Sequence, residues 1–196
     1  LDEVVVATDD KRIYKAVEGF GGQALLTNIS HENGTSRCLE AFEIYNNSSK
    51  KSVDAIINIQ GDEPLIQIKQ LHQLKSAILG SPNKDIVTLA TTASSLEELK
   101  DRHNAFVVFN LQKKALYFSR TPLPFVRDFE LRDWLKQSKF YKHIGIYAYK
   151  PNILKKIIKL APSKIEDAEK LEQNRWLDHG YDIHVEVTQH KSISVD

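Results

Sequence analysis

The sequence has 196 residues, 41% hydrophobic and 27% charged, which fits one soluble globular domain long enough to bury a substantial core. A net charge of +1 gives no general pull toward nucleic acid or membrane, and the single cysteine, Cys38, excludes an intrachain disulfide framework and suits a reducing compartment. No apolar stretch approaches the length of a membrane span.

Val4 to Ala7 is a β-branched run closed by "TDD", which reads as a strand ending in cap residues. Lys11 to Glu18 suits a helix stopped by "GFGG", and Gln23 to Leu26 suits the next strand. "SHENGTSR" reads as a loop with an Asn-Gly turn. Thr35 or Ser36 is expected to cap the helix that follows, with Cys38, Leu39 and Phe42 inward. Val53 to Ile59 is a strand, Ile68 to Leu79 a helix with Leu71, Leu74 and Ile78 on its inner face, and Ile86 to Thr91 another strand. This alternation predicts a parallel sheet with crossover helices. The second half differs. "NAFVVFN" and "ALYFSR" read as strands about a short turn, and "FYKHIGIYAYK" as a long alternating strand. Pro151 opens a helix that ends before Pro162, a helix follows over Ile165 to Asp178, and "DIHVEV" closes as a strand. There is no internal repeat, so residues 1–196 read as a single α/β domain whose second half carries extra antiparallel strands.

Five stretches carry chemistry. "NIQGDEPLI" puts Gly61, Asp62 and Glu63 just past a strand, where open α/β sheets bind ligands, and Asp62 there suits Mg²⁺. The alternative is a solvated acidic loop. "HENGTSR" sets backbone N–H groups and Arg37 at a helix start, which suits a phosphate, or is a plain capped helix. In "FYKHIGIYAYK", period two places Tyr141, His143, Gly145, Tyr147 and Tyr149 on one face and Ile144, Ile146 and Ala148 on the other. A face of His, Gly and Tyr is unlike an ordinary core face and suits a hydroxylated ligand. In "KLEQNRW", Glu172 and Gln173 fall on the predicted helix, free for sugar hydroxyls or for water, and Arg120 in "LYFSRTPLP" is placed to meet a carboxylate or to form a structural ion pair. Walker, dinucleotide-fingerprint, HExxH and G-x-S-x-G motifs are absent.

Taken in order, "VVVATDD", "HENGTSR", "NIQGDEPLI", "ALYFSRTPLPF", "HIGIYAYK", "LEQNRW" and "SVD" resemble the 3-deoxy-manno-octulosonate (Kdo) cytidylyltransferases over nearly the whole chain. The resemblance implies an α/β, nucleotide-diphospho-sugar transferase-like three-layer fold, with a mainly parallel mixed sheet. It also implies an antiparallel extension near residues 105–165 for sugar binding and dimerisation. It implies a cytoplasmic, Mg²⁺-dependent homodimer that converts CTP and Kdo to CMP-Kdo and pyrophosphate for lipopolysaccharide synthesis. By the same resemblance Asp62 and Asp196 are the metal carboxylates and, with Arg37, the catalytic set. Gln60, Gly34, Thr35, Arg120, His143, Tyr147, Glu172 and Gln173 bind substrate. The family opens with a strand and a basic glycine-containing loop that this sequence lacks. With no methionine present, the sequence is expected to come from a longer chain. Activation of another acidic sugar such as sialic acid, a non-catalytic binding homologue, and a sugar-transferring glycosyltransferase are the alternatives.

Overall fold

The computed structural model describes residues 1–49 and 52–190, so Asp196 lies outside the described residues. Strands β1 (Val5–Thr8) and β2 (Gln23–Leu26) form a parallel pair joined by helix α1 (Lys11–Gly19). Helix α2 (Gly34–Ser48) follows and packs against both β1 and β3 (Ile56–Asn58), the latter in a separate six-stranded sheet. Helix α3 (Ile68–Leu79) leads to β4 (Ile86–Thr92), and the short α4 (Leu96–Lys100) to the hairpin of β5 (Phe106–Phe109) and β6 (Ala115–Ser119). After a 3-10 turn and α5 (Trp134–Gln137) comes β7 (Tyr141–Tyr149). Helices α6 (Pro151–Ile157), α7 (Lys164–Glu169) and α8 (Gln173–Asp178) precede β8 (Ile183–Thr188).

The nine-residue β7 organises the larger sheet. Its carboxyl half lies between β3 and β4, and its amino half pairs β4 along its length and meets β5 at Lys142. Because β3, β4 and β5 all run antiparallel to β7, and β8 runs parallel to β4, those four strands share one direction. The result is the expected three-layer α/β architecture. On one face, Leu74 and Ile78 of α3 pack on Val87, Leu89, Ile144, Ile146 and Ala148. On the other, Leu39, Ile153, Leu154, Ile157 and Trp176 cover Ile86, Ala90, Tyr147, Tyr149 and Val185. A third cluster around Phe106, Trp134 and Phe140 anchors the segment between β6 and β7.

Several local expectations change. The cap of α2 is Asn33, ahead of both Thr35 and Ser36, because its side chain accepts from Ser36 N at 2.8 Å. Asn33-Gly34 is therefore a cap followed by the first helical residue, and the Asn-Gly turn does not form. The loop before it closes on the helix, since His31 bonds Ser36 Oγ at 3.1 Å and also meets Glu40, which takes Asn28 N at 2.9 Å. The predicted strand over Val53 to Ile59 shortens to Ile56–Asn58, which among the described residues pairs with β7. On α3 the buried positions are Gln70, Leu74 and Ile78, with Leu71 only half-buried.

The single helix expected over Ile165 to Asp178 is two, because Lys170 adopts the left-handed conformation (φ 53°) and terminates α7. Glu172 thereby becomes the residue that opens α8. The predicted Tyr face of β7 is also core at its carboxyl half, since α2, α6 and α8 lie over it and bury Tyr147 and Tyr149. Among the described residues no helix is long and apolar enough to cross a membrane.

Asn33→Ala removes the side-chain acceptor at the start of α2 and is expected to cost about 1 kcal/mol in urea unfolding, with Asn33→Asp nearly neutral. Equal stability of the alanine variant and the parent would remove Asn33 as the cap.

Candidate active site

The residues just past the carboxyl ends of β1 and β3 come together with the start of α2 and the bulged middle of β7, and loops at the carboxyl ends of strands are where α/β sheets bind ligands. Four of the sequence stretches meet there through specific contacts. Gly145 of β7 is flanked by the "QGDEP" loop, for a Cβ placed on it would lie 3.9 Å from the Gln60 amide and 3.9 Å from Glu63 Oε1. Gly34, at the start of α2, faces Asn58 at the end of β3, whose Nδ2 would lie 4.0 Å from an added Cβ. Thr35 Oγ1 donates to Glu172 Oε2 at 2.7 Å, tying the start of α2 to the start of α8 across 137 residues of sequence.

β7 itself brings His143 to Tyr147. In a regular strand residues four apart are separated by about 13 Å, yet the two ring centroids are 5.4 Å apart. The register explains it: Thr88 pairs Tyr147 and Leu89 pairs Ile144, so Gly145 and Ile146 are an unpaired insertion. The buried Thr88 hydroxyl sits against this bulge, 2.7 Å from Ile146 O and 3.3 Å from Ile144 O, and lies 2.9 Å from His143 Nε2. Phe118 meets the His143 ring edge-on at 5.0 Å. Tyr147 in turn stacks on Tyr149 at 5.8 Å and meets Trp176 edge-on at 5.1 Å.

This half of the site is buried and favours uncharged forms. Desolvation, and then the nearby positive charge of Arg120, lower the His143 pKa to about 3. Burial raises the Glu172 pKa despite the Thr35 hydrogen bond that opposes the rise. Burial and the adjacent Glu172 raise that of Tyr147. Several polar atoms in this region are buried without a hydrogen-bond partner among the described residues: Asn58 Nδ2, the Tyr147 hydroxyl, Gln173 Nε2 and Trp176 Nε1. Each such group costs about 1–3 kcal/mol, which is why proteins rarely leave several together unless something else supplies the partner.

The other half is charged and more exposed. Arg37 bonds Asp9 Oδ2 at 2.9 Å and Thr27 Oγ1 at 2.7 Å, so it links α2 to the end of β1. Arg120 turns toward main-chain carbonyls, 2.5 Å from His103 O and 3.4 Å from Glu169 O, while its own N–H bonds the Glu169 carboxylate at 2.7 Å. Within the described residues its guanidinium thus meets main-chain carbonyls in place of the structural ion pair that was one of its two readings. Of the acidic pair, Asp62 is exposed and Glu63 is buried.

A Mg²⁺ ion is implied by the family resemblance. Asp62 fits one, being an exposed hard oxygen donor at the end of β3, and Mg²⁺ takes only one or two carboxylates beside phosphate and water. No group of three or more His, Cys, Asp and Glu that would hold a metal occurs among the described residues. After β8, Gln70 Nε2 of α3, the helix that follows the Asp62 loop, donates to His190 O at 3.0 Å.

The structure thus gathers Gln60, Gly34, Thr35, His143, Tyr147, Glu172 and Gln173, with Asp62 on the adjoining loop. Arg37 and Arg120 lie at its borders, held by protein contacts. Sequence reading passed over Thr88, Asn58, Asp9 and Trp176. The signal for Thr88 was a hydroxyl inside an otherwise apolar strand, "IVTLA", and for Asn58 a polar residue ending a buried run. A separate open cleft of about 500 Å³ near Glu3, Glu18, Gln23 and Tyr45 contains none of these residues.

The cytidylyltransferase family profile matches residues 1–183. The 3-deoxy-manno-octulosonate cytidylyltransferase of Phocaeicola vulgatus is 44% identical over 199 aligned positions, covering all of this chain and 77% of that protein. The enzyme of the same name from Porphyromonas gingivalis is 44% identical, with 76% of it covered. A solved structure of CMP:2-keto-3-deoxy-manno-octonic acid synthetase complexed with CTP superposes with a TM-score of 0.87 at 36% identity, over all of this chain and 76% of that one. A 4-diphosphocytidyl-2C-methyl-D-erythritol synthase from Anaerococcus prevotii shares the fold at TM-score 0.54 and 15% identity, over all of this chain and 76% of that one.

A histidine whose folded pKa, about 3, lies below the ordinary 6.5 binds its proton less readily in the native state than in the unfolded chain. Its contribution to stability is full above 6.5 and is lost as pH falls toward 3. His143→Gln is therefore expected to flatten the acid limb of the stability profile, measured by urea unfolding between pH 7 and pH 4. Identical slopes in parent and variant would show that His143 titrates normally.

Proposed function

The chain belongs to the family of 3-deoxy-manno-octulosonate cytidylyltransferases, and from that premise we propose that it joins the CMP of CTP to Kdo and releases pyrophosphate. The observation that carries the sugar assignment is the buried, unpartnered polar set around Tyr147, Gln173 and Asn58, beside the Thr35–Glu172 hydrogen bond. A polyhydroxylated ligand supplies both donors and acceptors to such a set, and an apolar ligand supplies neither.

In the reaction the anomeric hydroxyl oxygen of Kdo bonds to the α-phosphorus as the bond from that phosphorus to the β-phosphate oxygen breaks. The hydroxyl proton passes to solvent, and pyrophosphate leaves. No covalent enzyme intermediate is needed, so the protein's work is alignment and charge compensation. His143, Tyr147, Glu172 and Gln173 hold the sugar hydroxyls from β7 and α8. Arg120, beside His143, offers positive charge to the sugar carboxylate. Gly34, Thr35 and Gln60 border the nucleotide side, and the N–H groups of Arg37 not bonded to Asp9 or Thr27 remain for a phosphate. Asp62, with Asp196 as the second carboxylate, would hold Mg²⁺, which when bound offsets the negative charge of the phosphates.

The protein is proposed to act in the cytoplasm, where CTP is available, and to feed lipopolysaccharide synthesis. A homodimer is supported by the exposed apolar side chains of the 105–165 region, Leu111, Leu116, Phe125 and Phe129, on and beside the edge strand β6. Sedimentation of the parent as a dimer, and of Leu116→Glu as a monomer, is the expected outcome. A monomeric parent at micromolar concentration would remove the dimer from the proposal.

Pyrophosphate release by the full-length gene product should require CTP, Kdo and Mg²⁺ together, and sialic acid in place of Kdo should give none. Asp62→Asn should lower kcat on the order of 100-fold with an unchanged circular dichroism spectrum, because its side chain is exposed and only its charge is lost. Turnover at the parental rate in saturating Mg²⁺ would take Asp62 out of the metal site.

A further inference from the structure

The Thr88 hydroxyl has one hydrogen and three neighbours. Two are the carbonyl oxygens of Ile146, at 2.7 Å, and Ile144, at 3.3 Å, and the third is His143 Nε2 at 2.9 Å. Carbonyls only accept, so an oxygen–oxygen approach of 2.7 Å at a residue with no solvent exposure places the threonine hydrogen on Ile146 O. Toward His143 the hydroxyl then has only lone pairs to present. His143 Nε2 must therefore carry the ring hydrogen. In the neutral ring Nδ1 is then bare and is an acceptor, and among the described residues it has no hydrogen-bond partner. The opposite tautomer would turn the Thr88 hydrogen toward the ring and set two bare oxygens against each other inside the bulge.

We propose that Thr88 is a positioning residue that locks His143 as the Nε2–H tautomer, so that His143 Nδ1 accepts a hydrogen bond from a hydroxyl of the acidic sugar. The naming of the sugar hydroxyl rests on the cytidylyltransferase reading. The tautomer does not, because it follows from Thr88, Ile146 and His143 alone. The assignment divides the two polar ends of the sugar. A hydroxyl goes to a neutral histidine that can only accept, and the carboxylate, which has no hydrogen to donate, is excluded from that position. The low intrinsic tendency of His143 to protonate, caused by burial and by Arg120, keeps the acceptor available across the neutral range.

The full-length protein labelled with ¹⁵N-histidine tests this directly by long-range ¹H–¹⁵N correlation, with the His143 signals identified by their loss in His143→Gln. The parent is expected to show a protonated Nε2 and a bare Nδ1 without ligand. Thr88→Ser retains the hydroxyl and should retain that pattern and the KM for Kdo. Thr88→Val keeps the shape and loses the hydroxyl. It should mix the two tautomers and raise the KM for Kdo about tenfold, with kcat and the KM for CTP within about twofold of the parent. A bare Nε2 in the unmutated protein overturns the proposal whatever the variants do. So does a Thr88→Val protein that folds, keeps a pure Nε2–H tautomer and keeps its KM. A parent with the expected tautomer but no Kdo-dependent turnover would reject the sugar hydroxyl as the donor, while the spectra of parent and Thr88→Val would still decide whether Thr88 sets the tautomer.

Discussion

The two-residue insertion in β7 is the constraint on which both the sheet and the site depend. β7 must pair β4 along its length while its other edge serves β5 and then β3. Without the bulge, His143 and Tyr147 would stand about four strand residues, roughly 13 Å, apart, and no single ligand group would meet both rings. With it, the two rings close to 5.4 Å, and Gly145 lies beside the Gln60 and Glu63 side chains. A bulge frees backbone carbonyls that must be satisfied inside a core. Thr88 does this for Ile146 O with its one hydroxyl hydrogen, and the same hydroxyl orients His143.

The site is divided by dielectric environment. Around β7 and α8 the side chains are packed against aromatic rings and are held in uncharged or weakly ionising forms. Around the ends of β1 and β3, Asp9, Arg37 and Asp62 keep contact with water. This division suits a reaction whose one partner is recognised by hydroxyls and whose other is a polyphosphate. Directional hydrogen bonds gain strength and selectivity where water is excluded, whereas highly charged phosphates would be costly to desolvate fully. Thr35 lies at the seam, on the helix that carries Arg37 and bonded to Glu172 of the buried side.

Much of this was legible in the sequence, for identifiable reasons. β-Branched runs and helical spacing located the strands and most helices, because each buries a face with its own period. The chemistry-bearing stretches were visible as polar residues at strand ends. What could not be read was set by tertiary contacts. The break at Lys170 depends on a left-handed residue that is not glycine, so the run over Ile165 to Asp178 looked continuous and Glu172 looked like a mid-helix residue. The cap shifted to Asn33 because the His31 and Glu40 contacts close the preceding loop on the helix. The role of Thr88 needs the β7 register, and a period-two pattern assumes that no residue is inserted.

The polar atoms left without partners near Tyr147 and Gln173 bear on selectivity as well as on binding. A ligand that meets them supplies hydrogen bonds that the surrounding described residues do not make. A ligand of the same size that lacks the matching hydroxyl leaves them buried and unpaired in the complex too. Sites of this kind reject such analogues far more strongly than an apolar pocket rejects one of the wrong size, by about 10⁴ rather than about 10². The aromatic packing of Tyr147 on Tyr149 and Trp176 is what makes the rejection strong, since it prevents the tyrosine from turning away to find another partner. The same rings that close the hydrophobic core therefore fix the direction in which the site asks for a hydrogen bond.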